Sequence, residues 1–485
     1  MTMTLAQLNL SIAMPEIFLL GMTFVIMLLD LFGDAKTRNG RLYVGTLVTL
    51  AIAAILVFKV SSPAPQYAFS NMFVVDQMAT ILKASLLIGV AVLFIYSREY
   101  LETRKLFTGE FVLLMLFATL GMLVMVSANH FVSLYLGLEI LALSTYTMVA
   151  LNRDSATATE AAMKYFILGA LASGLLLYGM SMIYGATGAL DVSLVAKTIS
   201  LSRANDPLIT YGLVFVVAGL AFKLGVVPFH MWVPDVYEGA PTPMAMFIGS
   251  ASKIAAFGFL VRILGDALAG AGSDWQGMLI ILAVASLAVG NIIAIAQTNL
   301  KRMLAYSTIS HMGFLLLGIL AGTQSGYAAS MFYIVTYALT ALGAFGIILL
   351  LSREGFEADR IDDLKGLNQR SKWTAFLMLV IMFSMAGIPP FVGFFAKLSV
   401  LEAVLNAGHT WLVVYAVLMS VIGAYYYLRI VKLMYMDAPV DHSPIVAGQA
   451  MRALLGVNAF AVLLLGLVPG TGLMGLCLQA IQRSL

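Results

Sequence analysis

The chain has 485 residues, of which 61% are hydrophobic and only 11% charged, and its mean hydropathy is +0.97. A soluble domain of this length could not hide so much apolar surface, which excludes a water-soluble fold and leaves a polytopic membrane protein. The net charge of +3 says little by itself, and the single cysteine, Cys477, excludes an internal disulfide framework and any Cys-ligated zinc or iron–sulfur site.

Windows of about 20 apolar residues predict an all-α fold with fourteen spans. They fall near 10–32, 41–61, 74–97, 108–126, 129–150, 162–186, 208–227, 242–264, 277–298, 302–321, 327–351, 373–405, 411–436 and 450–475. No Lys or Arg precedes Lys36, so the first stretch lacks the basic region of a cleaved signal and reads as a retained span. The stretch 373–405 is too long for one straight helix and contains Pro389-Pro390, which predicts two half-helices around a break. The Pro- and aromatic-rich connection 228–241 predicts a second broken helix. With the N-terminus outside, eighteen basic residues fall on inner loops and helix ends, five on the outer side and four within the membrane. The positive-inside rule therefore predicts both termini on the outer side. The largest inner loop, 352–372, mixes five acidic with five basic residues and reads as a solvated loop or a docking surface for a neighbouring subunit.

The four intramembrane lysines are Lys83, Lys223, Lys253 and Lys397. A charge at the bilayer centre costs at least about 2.5–3.5 kcal/mol, so several of them imply that the chain moves charge, and the proton suits such a wire best. Lys223 precedes the break Val226-Val227-Pro228-Phe229, and Lys397 follows the break Gly387-Ile388-Pro389-Pro390. Broken backbone at membrane depth must be buried or line a watery cavity. Each broken segment is followed about one span later by an arginine in an apolar setting, Arg262 and Arg429. An offset of five spans between the two elements predicts inverted five-helix repeats, matching Lys223 with Lys397.

Glu139 is nearly central in its span and reads either as a structural acid or as the ion-pair partner of Lys223. Lys253 sits in Gly249-Ser250-Ala251-Ser252-Lys253-Ile254-Ala255-Ala256, where small neighbours predict room for water around an ammonium. A lysine can release its proton where arginine cannot. His230 and His311 titrate in the range needed to pass protons, against the alternative that each is a satisfied structural histidine. Hydroxyl groups around His311, in Ser307-Thr308-Ile309-Ser310-His311, predict an ordered polar chain. Lys83 lacks a break or a small-residue pocket, and with Asp76 two turns earlier on the same face it reads as a local pair or a snorkelling lysine and not as a proton carrier. Gly470-Thr471-Gly472-Leu473-Met474-Gly475 fits a dinucleotide fingerprint but has no βαβ context. No metal site is expected in this chain.

The stretch from Glu139 through Lys223 to Phe229-His230-Met231-Trp232-Val233-Pro234-Asp235-Val236-Tyr237-Glu238-Gly239-Ala240-Pro241, together with Lys253, Thr308 to Gly313 and Pro389 to Lys397, resembles the antiporter-like membrane subunits of the proton-pumping NADH–quinone oxidoreductase, respiratory complex I. The resemblance covers about residues 70–435. It implies three N-terminal helices over 1–107, a first five-helix unit over 108–264, an inverted second unit over 277–436 and a C-terminal transmembrane helix over 450–485. It also implies a proton relay in which Glu139 and Lys223 form the controlling pair, Lys253 is the central carrier and Lys397 the exit-side carrier. NADH, FMN, iron–sulfur clusters and quinone would be handled by other subunits, so this chain would hold no cofactor. Its partners would be the other membrane-arm and peripheral subunits and the lipid of a bacterial inner membrane, not nucleic acid. The chain leaves no room for the lateral helix of the longest such subunit, and Lys397 stands where another has Glu; both features favour the remaining branch. Subunits of cation/proton antiporters and membrane-bound hydrogenases share the fold and are the alternative.

Overall fold

The computed structural model describes residues 8–34, 37–203, 206–468 and 472–485. Lys36, used in the orientation count, and Gly470-Thr471 of the fingerprint lie outside the described residues. The N-terminal part contains α1 (Met14–Phe32), α2 (Arg38–Lys59) and α3 (Gln77–Thr103). Then come α4 (Gly109–Ser127), α5 (Phe131–Val149), α6 (Ala156–Thr187), the short α7 (Val192–Thr198), α8 (Pro207–Leu224), α9 (Trp232–Gly239), α10 (Thr242–Gly249) and α11 (Ala251–Leu260). The remainder comprises α12 (Gly272–Ile295), α13 (Leu300–Leu320), α14 (Gln324–Leu351), α15 (Leu367–Arg370), α16 (Lys372–Ala386), α17 (Val392–Asn406), α18 (Thr410–Met436), α19 (Gln449–Leu467) and α20 (Leu473–Ser484).

Among the described residues, thirteen helical segments are long and apolar enough to cross a membrane. The half-helices α16 and α17 together make the fourteenth span, with the break at Gly387–Phe391 where Pro389-Pro390 predicts it. The second break separates α8 from α9. A third interruption has no proline: α10 stops at Gly249 and α11 restarts at Ala251, with Ser250 at φ −121°, ψ −85° and its hydroxyl donating to Met246 O at 2.6 Å. Hydroxyl back-bonding of this kind bends helices. A π-helical stretch, Val261–Ala267, continues α11.

Small residues set the closest helix contacts. A Cβ on Gly121 of α4 would lie 2.7 Å from Gly137 O of α5, and a Cβ on Gly290 of α12 would lie 2.7 Å from Ser310 N of α13. Without a hydrophobic drive between spans, such backbone-to-backbone approach supplies the van der Waals contact that holds them. The hairpins α4–α5 and α12–α13 open the two expected five-helix units. Their ends are held alike: Arg262 donates to Val126 O of α4 at 3.2 Å, and Arg429 donates to Ile295 O of α12 at 3.3 Å. Burial does not follow hydropathy. The most apolar stretches of Thr242–Ala267 and Leu300–Leu320 are fully buried, whereas that of the equally apolar Thr410–Met436 is only 28% buried. The first two form the axis of the molecule, and α18 offers a face to lipid or a partner.

Several features depart from the sequence reading. A two-stranded antiparallel hairpin, β1 (Gln66–Ala68) and β2 (Phe73–Val75), pairs Gln66 with Val75 between α2 and α3. The C-terminal part is not a single span, because α20 folds back against α14 and α3, where Ser484 Oγ accepts from Met78 N at 3.0 Å. Asp76 does not pair with Lys83. It pairs with Arg262 at 2.7 Å, and Lys83 meets Glu16 of α1 at 2.5 Å, with both members of each pair buried. The loop 352–372, expected as a solvated loop or a docking surface, packs back onto the helices. Glu357 accepts from Tyr100 at 2.5 Å, Thr242 at 2.8 Å and Arg104 at 2.9 Å, and lies 3.8 Å from Lys301.

Candidate functional site

Two chain breaks build the site. α8 ends at Gly225 (φ 77°) and α16 at Gly387 (φ 85°), each in the left-handed region that glycine enters without a Cβ clash. Gly225-Val226-Val227-Pro228-Phe229 and Gly387-Ile388-Pro389-Pro390-Phe391 then run in the same register, and both X–Pro bonds are cis. The caps match bond for bond. Gly225 N donates to Ala221 O at 2.9 Å and Phe222 O at 3.0 Å; Gly387 N donates to Phe383 O at 3.1 Å and Ser384 O at 3.0 Å. Val226 N and Ile388 N return to Ala221 O and Phe383 O, each at 3.0 Å.

This cap leaves the last two carbonyls of each half-helix without a backbone donor. Lysine supplies one in both cases. Lys253 Nζ, on α11 and fully buried, donates to Lys223 O at 3.2 Å and Leu224 O at 2.8 Å. Lys397 Nζ, on α17, donates to Met385 O at 3.2 Å and Ala386 O at 3.0 Å, and to Ser420 Oγ of α18 at 2.9 Å. An aromatic face backs each ammonium: Trp232 lies 5.2 Å from Lys253 and Phe314 lies 5.2 Å from Lys397. The carboxyl end of a helix carries partial negative charge, so a cation at this point gains both hydrogen bonds and dipole attraction.

The geometric counterpart of Lys397 is therefore Lys253, not Lys223 as the spacing from the prolines predicts. The small residues around Lys253 also serve another end. They let the helix pack closely, a Cβ on Gly258 lying 3.1 Å from Val126 and 3.2 Å from Leu82, while the ammonium rests on carbonyls.

Lys223 and Glu139 lie within electrostatic range but do not touch; no ion pair within 4.0 Å joins them. Glu139 Oε1 is buried without a hydrogen-bond partner. Lys223 lines a cavity of about 20 Å³ with Tyr146, Tyr165 and Trp232. That is room for about one water. Tyr165 stacks on Trp232 at 4.5 Å, which links this cavity to the Lys253 ammonium.

His311 lies on the axial helix α13. Its Nδ1 lies 2.6 Å from Tyr333 OH and its Nε2 lies 3.0 Å from Tyr427 OH. Tyr427 OH in turn meets Ser307 Oγ at 2.5 Å, and Thr308 Oγ1 meets Tyr337 OH at 2.7 Å. Tyr333, His311, Tyr427 and Ser307 thus form one connected chain, with the Thr308–Tyr337 pair beside it and the Tyr337 ring 4.9 Å from that of His311. The tyrosines come from α14 and α18, which no sequence spacing marks. His311 also lines a cavity with Ser384 and Met385, beside the helix end that Lys397 caps. His230 is on the connector between α8 and α9, makes no hydrogen bond to any of the lysines, and leaves Nδ1 unpartnered. Lys83 stands apart, held by Glu16 and the Phe73 ring. Among the described residues no group of three His, Cys, Asp or Glu side chains is placed to hold a metal.

The model of the family described as "NADH:quinone oxidoreductase/Mrp antiporter, TM" matches residues 128–423. NADH-quinone oxidoreductase subunit N of Nitrosomonas europaea is 60% identical over 473 residues, 98% of each chain. A chain of respiratory complex I from Thermus thermophilus with bound aureothin superposes with a TM-score of 0.83 at 30% identity, over 96% of this chain and 100% of that one. A chain of the Mrp complex from a Dietzia species reaches a TM-score of 0.84 at 20% identity over 98% of this chain and 99% of that one, a likeness of fold alone. The resemblance to antiporter-like subunits of complex I is borne out, and the full-length relatives are subunit N. The chain belongs to the NADH:quinone oxidoreductase/Mrp antiporter family.

Proposed function

We propose that this chain is a proton-translocating membrane-arm subunit of a bacterial NADH–quinone oxidoreductase, and that Lys223, Lys253, His311 and Lys397 relay the proton. The single observation that carries the relay is the paired capping of the two broken half-helices by Lys253 and Lys397. A lysine held by carbonyls at a helix end stays ready to take a proton. Deprotonation removes the charge that strengthens those bonds and its attraction to the helix dipole, so charge and helix-end geometry are coupled. Glu139 acts at a distance: its approach to Lys223 would favour the ammonium, and its withdrawal the neutral amine. Unpartnered buried groups on the route, Glu139 Oε1 and Tyr237 OH, are positions that water would satisfy. Lys83, in a closed pair with Glu16, holds the N-terminal helices together.

The redox centres belong to other subunits of the assembly, and their work reaches this chain as a change of charge or hydration at one flank. Both termini face the periplasm of the inner membrane. The relay is tested in inverted membrane vesicles by measuring proton uptake per NADH oxidised for Lys223→Ala, Lys253→Ala and Lys397→Ala. Each is expected to lower it severalfold in fully assembled complex; undiminished pumping in all three would falsify the relay.

A further inference from the structure

Resting on the relay reading, we infer that the Lys397 site is defined by the end of α16 and not by the helix that brings the cation, with Ser420 as its positioning residue. The two half-helix ends are built alike: the same glycine cap, the same pair of bare carbonyls, an aromatic ring 5.2 Å from each ammonium. The lysines arrive differently. Lys253 comes from the span after its broken helix, whereas Lys397 comes from the second half of the broken helix itself. The span after the second break is α18, and the α18 residue that reaches the Lys397 ammonium is Ser420, at 2.9 Å. Ser420 thus occupies, by element order and by contact, the place from which Lys253 works in the first unit.

An ammonium has three N–H donors, and Lys397 spends them on Met385 O, Ala386 O and Ser420 Oγ. The two carbonyls can only accept. The neutral amine keeps two N–H groups for the carbonyls and gains a lone pair, and the Ser420 hydroxyl, which can also donate, is the one partner of the three that can bond that lone pair. It keeps the neutral amine against the helix end, ready for the next proton. Among the described residues Lys253 has no such hydroxyl partner.

The experiment uses the assembled complex in inverted vesicles and reads protons moved per NADH oxidised. Ser420→Ala is expected to lower coupling about fivefold, in line with the net loss of one ordinary hydrogen bond, and Ser420→Thr to restore it. Lys397→Ala combined with Ser420→Lys is expected to regain most of the pumping that Lys397→Ala loses, because the vacated stem leaves volume for a lysine entering from α18. The control is Lys397→Ala with Val421→Lys, at a neighbouring position 69% exposed on the outer face of α18, which is expected to stay inactive. Full coupling in Ser420→Ala overturns the positioning role. A doubly substituted chain that assembles but pumps no better than Lys397→Ala, or rescue from Val421 as well, overturns the helix-end definition. Unimpaired pumping in Lys397→Ala alone instead overturns the place of Lys397 in the relay on which this inference rests.

Discussion

Lys253 Nζ lies 2.8 Å from Leu224 O, the last residue of α8, and this one bond joins the enclosed helix α11 to the point where the membrane-depth backbone breaks. Lys397 repeats the relation at Ala386, the last residue of α16, at 3.0 Å. Both contacts depend on a glycine that turns the chain away and leaves the carbonyls bare. A Cβ on Gly387 would lie 3.0 Å from Lys397 Cδ and 3.3 Å from its Nζ, at a φ of 85°. Gly387→Ala is therefore expected to cost about 1–2 kcal/mol for the left-handed backbone and to push Lys397 off its carbonyls. Pumping per NADH should fall while NADH oxidation in detergent persists; equal retention of both would show that the cap geometry is not needed.

The Glu16–Lys83 pair gives a sharper contrast between removing one charge and removing two. Lys83→Met leaves Glu16 buried without its counter-ion and is expected to destabilise the chain by about 3–5 kcal/mol. Glu16→Gln with Lys83→Met is expected to be near neutral, because a buried pair recovers little beyond its own desolvation cost. Assembly of the complex, followed by native electrophoresis against temperature, distinguishes the two. Pumping per assembled complex should be unchanged in the double variant, as befits a structural tie between α1 and α3.

Glu357 fastens the loop 352–372 to three helices at once. Glu357→Ala removes acceptors from Tyr100, Thr242 and Arg104 and takes away the carboxylate facing the buried Lys301. The expected loss is about 2–3 kcal/mol, in the range for hydrogen bonds to a charged group. Hydrogen exchange should rise in Thr242–Gly249 and at the start of α13 more than in α18, whose ends do not depend on this hub.

Asp441, on the segment between α18 and α19, accepts from Arg353 at 2.8 Å and lies 3.2 Å from Arg370. The Arg353 hydrogen bond holds its carboxyl well below the usual carboxylate range, with Ser443 N and the Arg370 charge adding to the effect. A depressed acid contributes stability above its unfolded pKa, near about 4, and loses it as pH falls through the folded value. Hydrogen exchange of residues 437–448 should accordingly stay slow at neutral pH and rise on acidification below about pH 4. Asp441→Asn should show the faster exchange at all pH values, by less than about 1 kcal/mol because the pair is surface-accessible.

The sequence by itself determined the membrane class, the fourteen spans, the broken stretch at Pro389-Pro390 and the lysines worth asking about. Each of these follows from local chemistry: an unpaired charge or a missing N–H is costly in lipid wherever it sits in the chain. Only the tertiary structure decided who meets whom. Lys83 looked to Asp76 on its own helix, yet the pair formed with Glu16, and Asp76 went to Arg262 more than 180 residues away. Glu139 and Lys223, natural partners by charge, stand apart without touching. The interruption at Ser250 carried no proline signal, and the tyrosines around His311 came from α14 and α18. Counting from the prolines matched Lys397 with Lys223, although the bare carbonyls match it with Lys253. Spacing along the chain records where a residue is attached, but a lysine stem is long enough to reach the same helix end from two different helices, and only the fold shows which one it takes.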